Sequence, residues 1–454
     1  MLRGGRKALI VVGGPAILLA LGAVASLAGA SAPASIIRGD PLATAESFAL
    51  PLATFAVVLY LHNRYTSAGG SSAFLRRVAR DLPALLAVNA VVAVLTITTT
   101  TSGWLEPFWS TRPSEAVASR ALLQGRASGV FNQPLEAGLA YSVGLLLVVV
   151  SFQLRWSSRR RSAAIAALLV VGGSASISKA FIIGGLPVSM LVFAWPARSR
   201  ATARLRSAMP RAILVGWSVI LAYLVATLLR VQVSLGAWSG FRAFRRLVRI
   251  DADGGSSIQL LSGGRNTSLQ GPWEIVGSAS PLIGFGLGSA RSFPTDSAWI
   301  EAFVVAGAFG IAAMALHFGF LLRAVIRAEF PSRVIRRGAV GIMVVCAATS
   351  FGGPVFTGNR SGTIVVIALA SMLLTRASRS TQLRDREHES PPGPSGRPLT
   401  LGKHSSVMTR GDMQRSSGER PNRCAFGSGV GGRSDKAHRP MAPHPARRRN
   451  PPLR

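Results

Sequence analysis

Apolar residues in this chain arrive in unbroken blocks of roughly 17–25 residues, the length that crosses a bilayer as a helix. The blocks fall near 8–30, 43–61, 82–100, 136–154, 162–177, 180–196, 212–236, 298–322, 338–357 and 361–375. A soluble chain of 454 residues would instead show amphipathic patterning across two or three domains, yet 49% of residues here are hydrophobic and the mean hydropathy is +0.37. The expectation is an all-α integral membrane protein with about ten transmembrane helices and one large outer loop between spans 7 and 8. The pair 162–177 and 180–196 is short and suggests a broken or re-entrant hairpin.

Orientation follows from where the basic residues fall. Arg3, Arg6 and Lys7 place the N-terminus inside. The loops that then face the cytoplasm hold Arg64, Arg76, Arg77 and Arg80; Arg155 and Arg159 to Arg161; Arg198, Arg200, Arg204, Arg206 and Arg211; and Arg323, Arg327, Arg333, Arg336 and Arg337. Ten spans return the C-terminus to the same side. Residues 1–32 share the basic start, apolar run and Ala28-Gly29-Ala30 triplet of a signal peptide, but the run from Ala8 is longer than a usual signal core and favours a retained first span.

The net charge of +33 comes from 51 basic and 18 acidic residues. Residues 376–454 hold 17 of the basic and 6 of the acidic ones, and the rest of the excess lies mostly in the inner loops. Attraction to an anionic inner leaflet accounts for this better than nucleic-acid binding. The domain expectation is a membrane domain over 1–375, with outer loops 101–135 and 237–297, followed by a disordered basic cytoplasmic tail over 376–454, too rich in Pro, Gly, Ser and Arg to form a core. Cys346 lies in a span and Cys424 in the tail, so neither suggests a disulfide or a metal site.

The stretch from Arg265 to Leu322 is the most informative polar segment, because it ties Arg265, Arg291 and Asp296 to a membrane-length block beginning at Ala298. Charges at a bilayer edge are costly unless they have partners or a task. Upstream, Trp238, Phe241, Phe244 and Val248 recur at helical spacing with Arg242, Arg245, Arg246 and Arg249 between them, the pattern of a helix lying in the interface, as a plain anchor or as a cationic dock for a lipid diphosphate. Gly284-Phe-Gly-Leu-Gly288 lacks the βαβ setting of a nucleotide turn, and Asp251-Ala-Asp253 sits in a Gly-Ser loop where solvated turn chemistry is the commoner role. His317 stands alone, packed or facing headgroups.

Lys179 follows Ser174-Ala-Ser-Ile-Ser178 between the two short spans, where it either snorkels to headgroups or binds an anion. Arg126, Arg265, Arg291 and Arg360 are also assigned to outer span ends. The arginine fork matches phosphate oxygens, and several forks converging on one cavity would hold a diphosphate leaving group. Asp296 precedes its span by a residue or two; it is placed to cap the helix or to act as general base on a sugar hydroxyl.

Three blocks in this order resemble the O-antigen polymerase and ligase family of membrane glycosyltransferases. Arg126 with Gly129-Val-Phe-Asn-Gln-Pro134 is similar to the family's Gly-x-Phe-x-x-Pro segment before a span. Ser176-Ile-Ser-Lys179 resembles its Ser-Arg turn, with Lys in place of Arg. Gly264-Arg265, Trp273, Pro281-Leu-Ile-Gly-Phe-Gly286, Asp296, Gly307 and Gly310 follow its long outer loop and the span after it. The likeness covers roughly 80–375. It implies transfer of glycan carried on undecaprenyl diphosphate at the outer face of the inner membrane, with no cofactor, nucleotide or metal. It also implies chain-length regulator and flippase proteins as partners. Asp296, where ligases often have His nearby, leans toward polymerase. On this reading Arg265 and Asp296 are the catalytic residues, and Lys179, Arg291 and Arg126 bind the lipid diphosphate. The competing reading from the residues is a glycolipid transporter or flippase.

Overall fold

A computed structural model describes residues 2–28, 40–70, 72–99, 105, 121–122, 126–194, 266–289, 297–356 and 359–375. The chain divides into two units, Met1–Pro391 and Pro392–Arg454, and every described residue belongs to the first. The span expected at 212–236, the helix expected at 238–250 and the tail lie outside the described residues.

The described residues form helices and no strand: α1 (Leu2–Leu27), α2 (Pro41–Gly69), α3 (Ala73–Thr99), α4 (Pro134–Gln153), α5 (Arg159–Ala175), a π-helical segment (Ala180–Gly185) continuing into α6 (Leu186–Ala194), α7 (Asn266–Ala279), α8 (Ala298–Arg327), α9 (Arg333–Ser350) and α10 (Asn359–Leu374). Among the described residues, five helices are long and apolar enough to cross a membrane, with Ala180–Ala194 and Arg360–Leu374 as shorter apolar segments. α3 begins well before the block at 82–100, because Arg76, Arg77 and Arg80 remain helical and Asp81 forms an ion pair with Arg80 (2.8 Å). Local chemistry sets the starts. Pro41 and Pro134 occupy first-turn positions where no amide hydrogen is needed, and Asp40, Ser158, Ser297 and Ser332 accept hydrogen bonds from the free amides of α2, α5, α8 and α9.

The centre of the assembly is α4. It is apolar on all sides and buried along almost its whole length, packed by α3, α5, α6, α9, α10 and the π-helical segment. Small residues allow close approach, as expected where helices associate without a hydrophobic drive between them. A Cβ on Gly138 would meet Ser178 Oγ, and one on Gly185 would meet Ser142 Oγ.

The outer loop expected over 237–297 is not a plain connector. Its α7 packs on α8, with Trp273 stacked on Phe303 at 4.3 Å and Val276 fully buried. The run after α7 then enters a break in α8, where Ala306 and Gly307 leave helical geometry and Gly307 has φ +58°. Phe285 and Gly286 amides donate to Val304 and Val305 carbonyls (2.8 and 3.0 Å), while Ala308 and Phe309 amides donate to Pro281 and Leu282 carbonyls (2.8 and 3.3 Å). The break lies about nine residues, roughly 13 Å, along α8. Backbone freed at such depth needs new partners, and the loop supplies them. Gly284-Phe-Gly-Leu-Gly288 thus serves as a splice into a broken helix. Leu287 anchors the splice to α1 through Ser26 Oγ (2.8 Å).

His317 packs as expected: its Nδ1 accepts the Gly14 amide hydrogen (3.0 Å), and its ring lies edge-on to Phe356 at 4.7 Å.

Candidate functional site

Three chain segments meet at the N-terminal end of α4, and between them they carry the described members of the expected site. The first is the approach to α4. Ala127 donates its amide to the Ala175 carbonyl (3.0 Å), and Arg126 Nε reaches the Ser176 carbonyl (3.5 Å), so the Arg126 segment is docked on the end of α5. The turn that follows is clamped by Asn89 of α3, a residue only 6% exposed. Asn89 Oδ1 accepts the Val130 amide hydrogen (2.8 Å), and Nδ2 donates to the Ser128 carbonyl (3.3 Å) and the Tyr141 hydroxyl (2.7 Å). Gly129 needs its left-handed φ of +62° here, and a Cβ on it would strike Asn89. That is the physical content of the glycine in the Gly-x-Phe segment; Phe131 packs edge-on to Tyr141.

The second segment is the Ser176–Lys179 turn. Ser176 Oγ donates to the Gly173 carbonyl (2.7 Å), closing α5. Ile177, 1% exposed, sits at φ +47°, a conformation that β-branched residues rarely adopt and that costs on the order of 1–3 kcal/mol. Lys179 follows, partly buried, at the start of the π-helical segment. A strained buried residue beside a π-helix is a combination that recurs at functional sites. The turn separates the two short apolar blocks.

The third segment is the first turn of α4 together with that of α10. Glu136 is 7% exposed, interacts electrostatically with Arg360 of α10, and reaches back to the Asn132 backbone amide. Its Oε2 is buried with no hydrogen-bond partner. Arg126, Lys179 and Arg360 therefore share one end of the helix assembly.

Arg265, Arg291 and Asp296 lie outside the described residues, as do Asp251 and Asp253. The N-cap residue of α8 is Ser297, whose Oγ accepts the Trp299 amide hydrogen (3.3 Å). Ser297 and Trp299 are held to the end of α9 through the Ser350 carbonyl (3.3 Å) and hydroxyl (3.0 Å). Among the described residues no three His, Cys, Asp or Glu side chains gather as metal ligands.

Asn89, Tyr141 and Glu136 escaped the sequence reading. The signal was present for two of them: Glu136 is the only charged residue between Pro134 and Gln153, and Asn89 is a lone amide within an apolar block. No protein-family model matches this chain, and neither a curated protein nor a solved structure is significantly similar to it.

Proposed function

We propose that this chain is a membrane glycosyltransferase of the O-antigen polymerase/ligase type, which extends or transfers glycan carried on undecaprenyl diphosphate. On this reading it has ten spans, both termini in the cytoplasm, and a site at the outer face of the plasma membrane. The supporting observation is the docking of the Arg126 segment on the Ser176–Lys179 turn (Ala127 amide to Ala175 carbonyl, 3.0 Å). Two of the three blocks that carry the family resemblance, distant in sequence, are thereby neighbours at one end of the helix assembly.

In the proposed reaction Arg126, Lys179, Arg265 and Arg291 hold the diphosphate and offset the charge that builds on it as the glycosidic bond breaks. Asp296 takes the proton from the acceptor hydroxyl as that oxygen forms the new bond to the sugar. The diphosphate leaves with the bonding pair. The energy resides in the sugar–diphosphate bond, so the scheme needs no nucleotide, metal or other cofactor. Chain-length regulator and flippase proteins are the proposed partners.

The break in α8 favours the rival transporter reading, because discontinuous helices often line transport sites. Here, though, the Val304 and Val305 carbonyls exposed by the break are taken by the loop rather than left for a cargo. The glycan profile of cells lacking the protein separates the readings. Single repeats on the outer-facing carrier support a polymerase, and long chains left on the carrier support a ligase. Repeats trapped on the cytoplasmic face would overturn both in favour of transport.

A further inference from the structure

Glu136 has the wrong sign for a diphosphate site, yet it sits at the end of α4 that carries Arg126 and faces Arg360. Leaving a carboxylate oxygen buried without a donor is costly. Its Oε2 is such an oxygen, on a side chain more than nine-tenths buried. Two hydroxyls on the segments that meet at this end are likewise buried with no hydrogen-bond partner. One is Ser361 Oγ, next to Arg360; the other is Ser178 Oγ, against Gly138. An acceptor that needs a donor, with hydroxyls able to play either part, is complementary to a polyhydroxylated ligand and not to phosphate.

We infer that Glu136 is a specificity residue that accepts a hydrogen bond from a sugar hydroxyl of the glycan, beside the cations that hold the diphosphate. The inference rests on the proposed function and adds to it a division of labour within one site: basic side chains for the carrier's phosphates, Glu136 for the sugar. Arg360, on the facing helix end, is the cation that interacts with this carboxyl. Glu136 positions the glycan and takes no proton from it.

The test uses the full chain in lipid nanodiscs and two probes: undecaprenyl diphosphate, which has no sugar, and the same carrier bearing the cell's own oligosaccharide. The wild-type protein binds the glycosylated carrier more tightly. Glu136→Gln loses about tenfold or more for the glycosylated carrier, as expected for a lost bond to a charged acceptor, and stays within about twofold for the bare one. Glu136→Asp keeps the charge opposite Arg360 but withdraws the carboxylate by about 1.5 Å; it shows the same split if Glu136→Gln fails to insert. Equal loss for both carriers would make Glu136 a structural partner of Arg360 and overturn the inference, as would no loss for either. A wild-type protein with no preference for the sugar overturns the inference but leaves the proposed function standing. Binding of neither carrier overturns the proposed function itself.

Discussion

Asn89 Nδ2 donates to the Tyr141 hydroxyl at 2.7 Å, joining α3 to the most buried helix of the assembly. The same amide side chain holds the turn that presents Arg126, through Val130 and Ser128. One residue thus couples helix packing to the shape of the candidate site.

Asn89→Ala leaves the buried Tyr141 hydroxyl and the half-buried Val130 amide without this partner. Each such loss costs about 1–3 kcal/mol. The variant should unfold at lower temperature in detergent and lose glycan synthesis at matched membrane levels. An unchanged melting temperature would show that the clamp carries no weight.

Gly307→Ala places a Cβ against the Leu282 backbone at a φ of +58°, so the splice must open or shift. Gly319→Ala, on the same helix with nothing within 4 Å, should be neutral or slightly stabilising. Thermal unfolding of the two variants side by side checks this. Equal stability would mean that the loop and the break are not coupled.

Arg265→Lys should fail nearly as badly as Arg265→Ala, because a point charge does not reproduce a two-pronged grip on phosphate. Ser297 supplies the N-cap side chain of α8, so Asp296→Asn tests the proposed base with that cap in place. Turnover should fall by roughly 100- to 10,000-fold with the helix start intact. Glycan synthesis by an active Asp296→Asn enzyme would leave the acceptor without its base.

Topology reporters fused near Gly255 should read outside, and those near Arg160, Arg204 and Arg384 inside. An inside signal at Gly255 would put Arg265 and Asp296 in the cytoplasm and remove the mechanism.

The helical architecture was legible from the blocks because lipid leaves the backbone little choice: a segment of that length satisfies its own amides as a helix. The break near Ser176–Lys179 was legible for the same reason, as two apolar runs too short to be ordinary spans. Arg126 and Lys179 stood out because ionisable groups at a membrane edge are expensive, and the segments that carry them lie against each other.

What local sequence did not carry is which segments meet. The glycines from Gly284 to Gly288 look the same as a loop or as a splice until the carbonyls of Val304 and Val305 are placed beside them. Asn89 and Tyr141, 52 residues apart, are unremarkable singly and become a clamp only when α3 lies against α4. Glu136 announces a cost in sequence, but that Arg360, on another helix, lies within electrostatic reach of it is a property of the folded assembly. Helix formation depends on hydrogen bonds within a segment, so composition determines it. Partner choice depends on where small residues let helices approach and where buried polar atoms find each other, and only the folded assembly settles that.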